Sequence, residues 1–115
     1  MSESIGLYQE LEAKTRLLDQ AVRELRGRGT ALAQAEREYK VAAAKKIVEL
    51  RDRGYPVTVI PDLMRGDEGV SLLRFKRDCA DVIYRSALEA INALKLEIRL
   101  INEQVSREWG QAGTS

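Results

Sequence analysis

Two long segments of this chain repeat an apolar side chain every seven residues, and this repeat restricts the folds open to it. In the first segment the repeat runs over four heptads, at Leu11, Leu18, Leu25, Leu32 and Tyr39. The companion row expected beside it is mixed in character: Thr15, Val22, Gly29, Glu36, Ala43 and Leu50. Seven-residue repeats are typical of helices that pack side by side. The first segment is therefore predicted to be a long helix that needs a partner.

The second segment carries two apolar rows with a single interruption. One row consists of Leu73, Ala80, Ala87, Leu94 and Ile101, and the other of Tyr84, Ile91, Ile98 and Val105, with Arg77 in place of an apolar residue. Apolar residues make up 44% of the chain, and only two residues are proline. This composition and spacing predict an all-α protein built on two long helices.

The segment between these helices contains the stop and start signals of a turn. Gly54 ends the first helix, and Asp67 caps the second. Thr58 is expected to cap a short helical turn that has Pro61 near its start. We predict one domain over residues 1–109, with a helix over about 4–53, an ordered connector over 54–67, a helix over about 68–108 and a loose tail over 110–115.

Two glycines, Gly27 and Gly29, leave the continuity of the first helix open. Each interior glycine costs a helix about 1 kcal/mol relative to alanine, so a break there would give three helices with Thr30 as a new cap. The heptad phase is nevertheless kept from Leu25 to Leu32. We favour a single long helix.

A connector this short predicts that the two helices fold back as an antiparallel hairpin. A lone pair of such helices would leave much of each apolar stripe in water, so we expect the hairpin to pair with further copies in a four-helix bundle or higher oligomer. Counting outward from the turn sets Lys46 level with Arg77. The same count predicts that the Trp109 indole packs beside Tyr8 and Leu11.

Lys46 and Arg77 mark the one candidate binding site, because at that level each helix has a cation in place of an apolar residue of its row. A recessed anion or phosphate site would draw on Lys45, Lys46, Thr58, Arg65, Arg74 and Arg77. The alternative is that the cations reach solvent or pair with nearby acidic side chains. The sequence leaves both interpretations open.

Residue types exclude most chemistry. Histidine is absent and Cys79 is the single cysteine, which removes the usual zinc ligands and nucleophile pairs. We expect no catalytic residue, metal or cofactor. A net charge of +1 is far from that of a general nucleic-acid binder. With neither a leader nor a membrane-spanning run at hand, we expect a cytoplasmic location.

Several stretches carry a resemblance: Ala44 to Thr58, Asp62 to Asp67, Leu73 to Asp78, and the ending from Ile98 to Trp109. They resemble a group of small uncharacterised proteins from tailed phages and prophages of Gram-positive bacteria. The resemblance spans most of the chain and implies an early-region gene near replication and recombination functions. It implies no activity and no site residues.

These observations lead to two functional hypotheses. The first is a non-enzymatic oligomeric protein that binds a protein or nucleic-acid component of replication, recombination or host takeover, with its working surface at the turn. The second is an anti-defence protein that sequesters a signalling nucleotide at the Lys46 and Arg77 level. A purely structural spacer is a third possibility.

Overall fold

A computed structural model describes residues 2–114, and the side chains of residues 5–110. It contains three helices: α1 (Ser2–Asp52), α2 (Ile60–Gly66) and α3 (Glu68–Thr114). Over this range no residue is in a strand. The all-α class and the two long helices are confirmed, while the prediction of a single domain stays a prediction.

The end of α1 has the geometry that Gly54 predicted. Gly54 has a φ of +85°, in the left-handed region that side chains with a Cβ rarely adopt. Its backbone N–H donates to the carbonyl of Arg51 at 2.9 Å, and the N–H of Tyr55 donates to that of Leu50 at 3.2 Å. This pair of bonds is a Schellman motif, which satisfies carbonyls that the helix itself leaves free.

The connector contains the predicted helical turn, but Thr58 does not cap it. The N-cap of α2 is Val59, and no side chain caps this end. The backbone carbonyl of Val59 accepts the N–H of Leu63 at 3.1 Å. The helix therefore begins one residue later than it would with Thr58 as its N-cap. Proline within the first two positions is tolerated there, because those N–H groups have no partner inside the helix.

Asp67 caps α3 as predicted. Its Oδ2 accepts the backbone N–H of Val70 at 3.0 Å, and its carbonyl accepts that of Ser71 at 2.8 Å. At the other end α3 continues to Thr114, so the loose tail expected from Gly110 is wrong over that range. A single glycine weakens a helix without ending it. Ser115 lies outside the described residues.

α1 is one continuous helix through Gly27 and Gly29. The second of these glycines lies against α3: a Cβ built on Gly29 would come within 3.3 Å of Cε2 of Tyr84. The glycine thus admits a close approach of the aromatic ring, which explains why a helix keeps a residue of poor propensity there.

Backbone contacts divide the chain into two units. The turn unit is Gly27–Arg85, and the terminal unit joins Met1–Arg26 with Ser86–Ser115. In the turn unit Gly29 contacts Tyr84, Tyr39 contacts Arg77 and Lys46 contacts Asp67, so α1 and α3 run antiparallel. Its most buried apolar residues are Leu50, Ile60 and Val70, one from each helix.

The terminal unit has its own buried residues on α3, namely Ile91, Ile101 and Val105. An ion pair links its two helices: Nζ of Lys14 lies 2.8 Å from Oε2 of Glu97. Twelve residues further along α3, Trp109 lies beyond the level of Leu11, toward the start of α1. The indole is 62% exposed, so the prediction that it packs beside Tyr8 and Leu11 is wrong.

The apolar rows of α3 lie on its buried side. Every member of both rows is buried or partly buried: Leu73, Ala80, Tyr84, Ala87, Ile91, Leu94, Ile98, Ile101 and Val105. The row of α1 is partly buried as well, at Leu11, Leu18, Leu25, Leu32 and Tyr39.

The companion row of α1 is correct at three of its six predicted members, since Gly29 and Ala43 are partly buried and Leu50 is buried. At the other three, Thr15, Val22 and Glu36, the prediction is wrong. These residues are exposed, and the partly buried residues lie one position earlier, at Lys14, Ala21 and Ala35. Both rows are compatible with helical spacing, since neighbours at three and four residues share a face. Lys14 gave no apolar signal, and Ala21 and Ala35 have little side-chain bulk.

Candidate interaction surfaces

Lys46 lies between two carboxylates in the turn unit. Its Nζ is 3.1 Å from Oδ1 of Asp67 and 3.0 Å from Oε2 of Glu49. Hydrogen bonds to Glu49 and to Asp67 raise the pKa of Lys46 above its ordinary value. The cation therefore stays charged, and its charge is neutralised by residues of the same chain.

Asp67 has two roles at this contact. The bond that it accepts from the backbone N–H of Val70, followed by its bond from Lys46, holds the pKa of the carboxyl below its usual range. The side chain is 28% exposed, and that of Lys46 is 21% exposed. One carboxylate thus caps α3 and joins the start of that helix to α1.

Arg77 is engaged in the same unit. Its Nε and Nη2 donate to Oδ1 of Asp78 at 3.1 and 2.8 Å. The guanidinium carbon lies 4.7 Å from the ring centroid of Tyr39, within the range of a cation–π interaction. The bonds to Asp78 raise the pKa of Arg77. The interruption of the apolar row is thus accommodated by a neighbouring acid and an aromatic ring.

The two cations do not lie at one level, which corrects the predicted register. Lys46 contacts Asp67, and Arg77 contacts Tyr39, seven residues before Lys46 on α1. The prediction assumed that the chain turns back midway through the connector. Instead the six residues of α1 after Lys46 extend past the first residue of α3.

The other predicted site residues are exposed on different elements of the turn unit. Lys45 and Arg74 are exposed on α1 and α3, Thr58 is exposed in the connector, and Arg65 is exposed in the last turn of α2. Lys45 lines a shallow groove with Val41 and Leu73. The contacts that the structure does form join Lys46 to Asp67 and Arg77 to Tyr39.

A group of exposed apolar side chains surrounds the connector. It comprises Tyr55, Val57, Val59 and Leu63, and Val57 is 70% exposed. We call this group the turn surface. The backbone beneath it is fixed, because Val59 donates to the carbonyl of Pro56 at 3.1 Å and the adjoining Ile60 is buried. Water-exposed apolar groups on an ordered frame are typical of interaction sites.

A second group lies on the outer side of α3 in the turn unit. Leu72, Phe75, Cys79, Val82 and Ile83 are exposed there, and Phe75 is 64% exposed. We call them the Phe75 patch. Leu72 follows buried Val70 by two residues, which at about 100° per residue turns it to the opposite side of the helix.

The terminal unit has a corresponding group on α3, formed by Ala93, Leu96 and Leu100. We call it the Leu100 patch. Sequence reasoning missed both patches, although the seven-residue spacing of Leu72 and Cys79, and of Ala93 and Leu100, was a signal that could have found them.

Two kinds of site find no support in the part of the chain that the structure describes. No group of three or more His, Cys, Asp or Glu side chains there is placed to hold a metal ion. None of the helices, so far as they are described, has an apolar stretch long enough to cross a membrane.

Comparisons with protein-family models, with curated proteins and with solved structures found no match to this chain.

Proposed function

We propose that this chain is a non-enzymatic, self-associating helical protein that binds another protein through the turn surface. The observation that carries the proposal is the exposure of Tyr55, Val57, Val59 and Leu63 together on a connector whose backbone is hydrogen-bonded. A fixed apolar surface binds with little loss of conformational entropy. Leaving it in water costs free energy that a partner would recover.

The charges near this surface favour a protein partner over nucleic acid. Arg53 and Arg65 flank the turn surface, but Asp52 and Asp62 lie on the same short stretch. Phosphate binding depends on an excess of cations, whereas apolar and aromatic side chains dominate the centre of protein interfaces.

Self-association is supported by the outer side of α3. The Phe75 patch and the Leu100 patch would be covered if hairpins paired in a four-helix bundle or a higher oligomer. Contiguous apolar exposure of this kind is uncommon on proteins that remain monomeric.

The resemblance to proteins of tailed phages and prophages supplies the biological context of the proposal. It favours a partner among the host or phage proteins of replication, recombination or host takeover, met in the cytoplasm of the bacterial host. Neither a cofactor nor a metal enters this function.

The alternative, an anti-defence protein that sequesters a signalling nucleotide, gains little from the geometry. It needs Lys46 and Arg77 to converge, and each is engaged by an acidic side chain at a different level.

The test compares capture of proteins from host lysate by the wild-type chain and by a Val57→Asp, Leu63→Asp variant. A Val22→Asp variant is the control, because Val22 is also exposed but lies far from the connector in sequence. We expect wild type and control to capture the same protein, and the turn variant to lose it. Each captured protein is then purified and its affinity for the three chains measured by calorimetry.

Equal affinity of all three chains for that protein would overturn the assignment of the turn surface. A gel-shift titration at graded salt tests whether the partner is a nucleic acid instead of a protein. We expect no complex with DNA or RNA even at low salt, and a complex that weakens steeply with salt would favour nucleic acid instead.

A further inference from the structure

The exposed apolar residues on the outer side of α3, and the charges beside them, define how two copies can pair. We propose that the Phe75 patch of one copy packs antiparallel on the Leu100 patch of a second copy. This inference rests on the self-association proposed above and adds its orientation and register. Both patches belong to α3, so the contact joins two copies.

The spacing of the two patches matches when they are read in opposite directions. Phe75, Cys79 and Val82 are separated by four and then three residues, and Leu100, Leu96 and Ala93 are separated by the same intervals in reverse. Antiparallel helices with this spacing interdigitate as knobs into holes. The pairing sets Phe75 against Leu100, Cys79 against Leu96 and Val82 against Ala93. In the second and third of these pairs one residue is small, namely Cys79 and Ala93.

Charged residues beside the patches are complementary in this register. Lys76 and Asp78 flank the Phe75 patch, and Glu97 and Arg99 flank the Leu100 patch. Antiparallel pairing places Lys76 opposite Glu97 and Asp78 opposite Arg99 of the second copy. Opposite charges at such flanking positions set the orientation and the register of paired helices.

These acidic groups keep capacity for a second partner. Asp78 accepts both bonds from Arg77 on Oδ1, and Glu97 meets Lys14 through Oε2. An ionised carboxylate offers about four lone-pair sites on its two oxygens, so a further cation can be accommodated.

Other registers lose this complementarity. A shift by one heptad in one direction sets Lys76 and Asp78 opposite Ala90 and Asn92. The opposite shift brings Gln104 and Ser106 to those places.

Parallel pairing in register loses it too. It sets Asp78 opposite Ile83 and Lys76 opposite Ser71, so neither flanking charge meets an opposite one. Among these arrangements, the antiparallel register proposed here is the one that combines apolar layers with two oppositely charged pairs.

Cysteine cross-linking of the full chain tests the orientation. In the proposed register Cys79 lies beside residue 96 of the second copy, so a Leu96→Cys variant is expected to form a disulfide dimer under mild oxidation. Wild type is not, because its two Cys79 residues would lie about 25 Å apart along the helix axis at 1.5 Å per residue. A Cys79→Ser, Leu96→Cys variant is the control and is expected to stay uncross-linked.

Sedimentation equilibrium of the same reduced chains separates the two proposals. A monomer at every concentration overturns both the self-association and this inference. A dimer in which wild type cross-links through Cys79, or in which Leu96→Cys does not cross-link, overturns the antiparallel register alone. Circular dichroism verifies that the exposed substitutions leave the helices intact.

Charge exchange provides a measurement that needs no cross-link. Asp78→Arg is expected to weaken the dimer about fivefold, because attraction to Arg99 becomes repulsion. Adding Arg99→Asp should restore the affinity to within about twofold. An Asp19→Arg control, exposed on α1, should leave it unchanged. Failure of the second substitution to restore the dimer would contradict the pairing.

Discussion

Nζ of Lys46 lies 3.1 Å from Oδ1 of Asp67, so a cation on α1 contacts the residue that caps α3. The contact places Lys46, seven residues after Tyr39 on α1, level with the start of α3 in the turn unit. Glu49 shares the ammonium from the other side. Two testable consequences concern the ionisation of Asp67 and of Lys46.

The first prediction concerns acid. The pKa of Asp67 is held below its usual range, so the ionised carboxylate stabilises the folded state. This stabilisation is present above the pKa of an unfolded aspartate, about pH 4, and is lost as pH falls through the lower folded value. Asp67→Asn keeps an oxygen for the N–H of Val70 but removes the charge. Wild type should therefore be more stable than the variant at pH 7, and the difference should vanish toward pH 2.

Urea denaturation across this pH range measures the effect. Asp19→Asn, a substitution of an exposed aspartate on α1, is the control and should show no such convergence. A difference between wild type and Asp67→Asn that stays constant from pH 7 to pH 2 would contradict the ionic role. At alkaline pH the stability depends on Lys46, whose pKa is raised in the folded state. The contribution of its charge to stability is full below about pH 10 and is lost as pH rises through the folded pKa.

The second prediction concerns two glycines of opposite effect. Gly54→Ala should destabilise the protein by about 1–2 kcal/mol, since its φ of +85° lies in the left-handed region. Gly27→Ala should stabilise it by about 0.5–1 kcal/mol, because this position is helical. A Cβ built there meets no atom within 4 Å. Urea denaturation at one fixed protein concentration compares them. Equal effects of the two substitutions would contradict the Schellman geometry.

Local sequence signals correctly predicted the end of α1, the start of α3 and the buried side of α3. Gly54 required a left-handed backbone, Asp67 had the side chain that a helix start needs, and the two apolar rows of α3 had no competing interpretation. The two caps depend on a few neighbouring residues, and the rows depend on a spacing that repeats within one helix. The end of α1, the start of α3 and the buried side of α3 could therefore be predicted before any fold was known.

Relations between distant segments could not be predicted. The level of Lys46 and Arg77 depended on where the chain reverses, and α2 lies within that reversal. The companion row of α1 includes Lys14, whose presence on the buried side makes sense only when Glu97 is placed opposite it. Spacing alone cannot distinguish a row three residues away from one four residues away.

The third prediction concerns the ring beneath Arg77. Tyr39→Leu should cost about 0.5–1 kcal/mol more than Tyr39→Phe, because phenylalanine keeps an aromatic face for the guanidinium and leucine does not. The distance of 4.7 Å from the guanidinium carbon to the ring centroid sets this expectation. In an Arg77→Met background the difference between the two substitutions should shrink to near zero. An undiminished difference in that background would mean that packing, not the cation, distinguishes leucine from phenylalanine.

The fourth prediction tests the nucleotide alternative directly. A thermal-shift screen with cyclic mononucleotides and cyclic dinucleotides should leave the Tm of the wild-type chain unchanged. Lys46 is 21% exposed and bonded to two carboxylates, and Arg77 is bonded to Asp78, so a phosphate would have to displace acidic side chains at both places. An anion gains no net attraction from a cation that is already neutralised. A ligand that raised the Tm in wild type but not in Arg77→Ala would reverse the preference between the two functions, because it would show that the guanidinium leaves Asp78 for a phosphate.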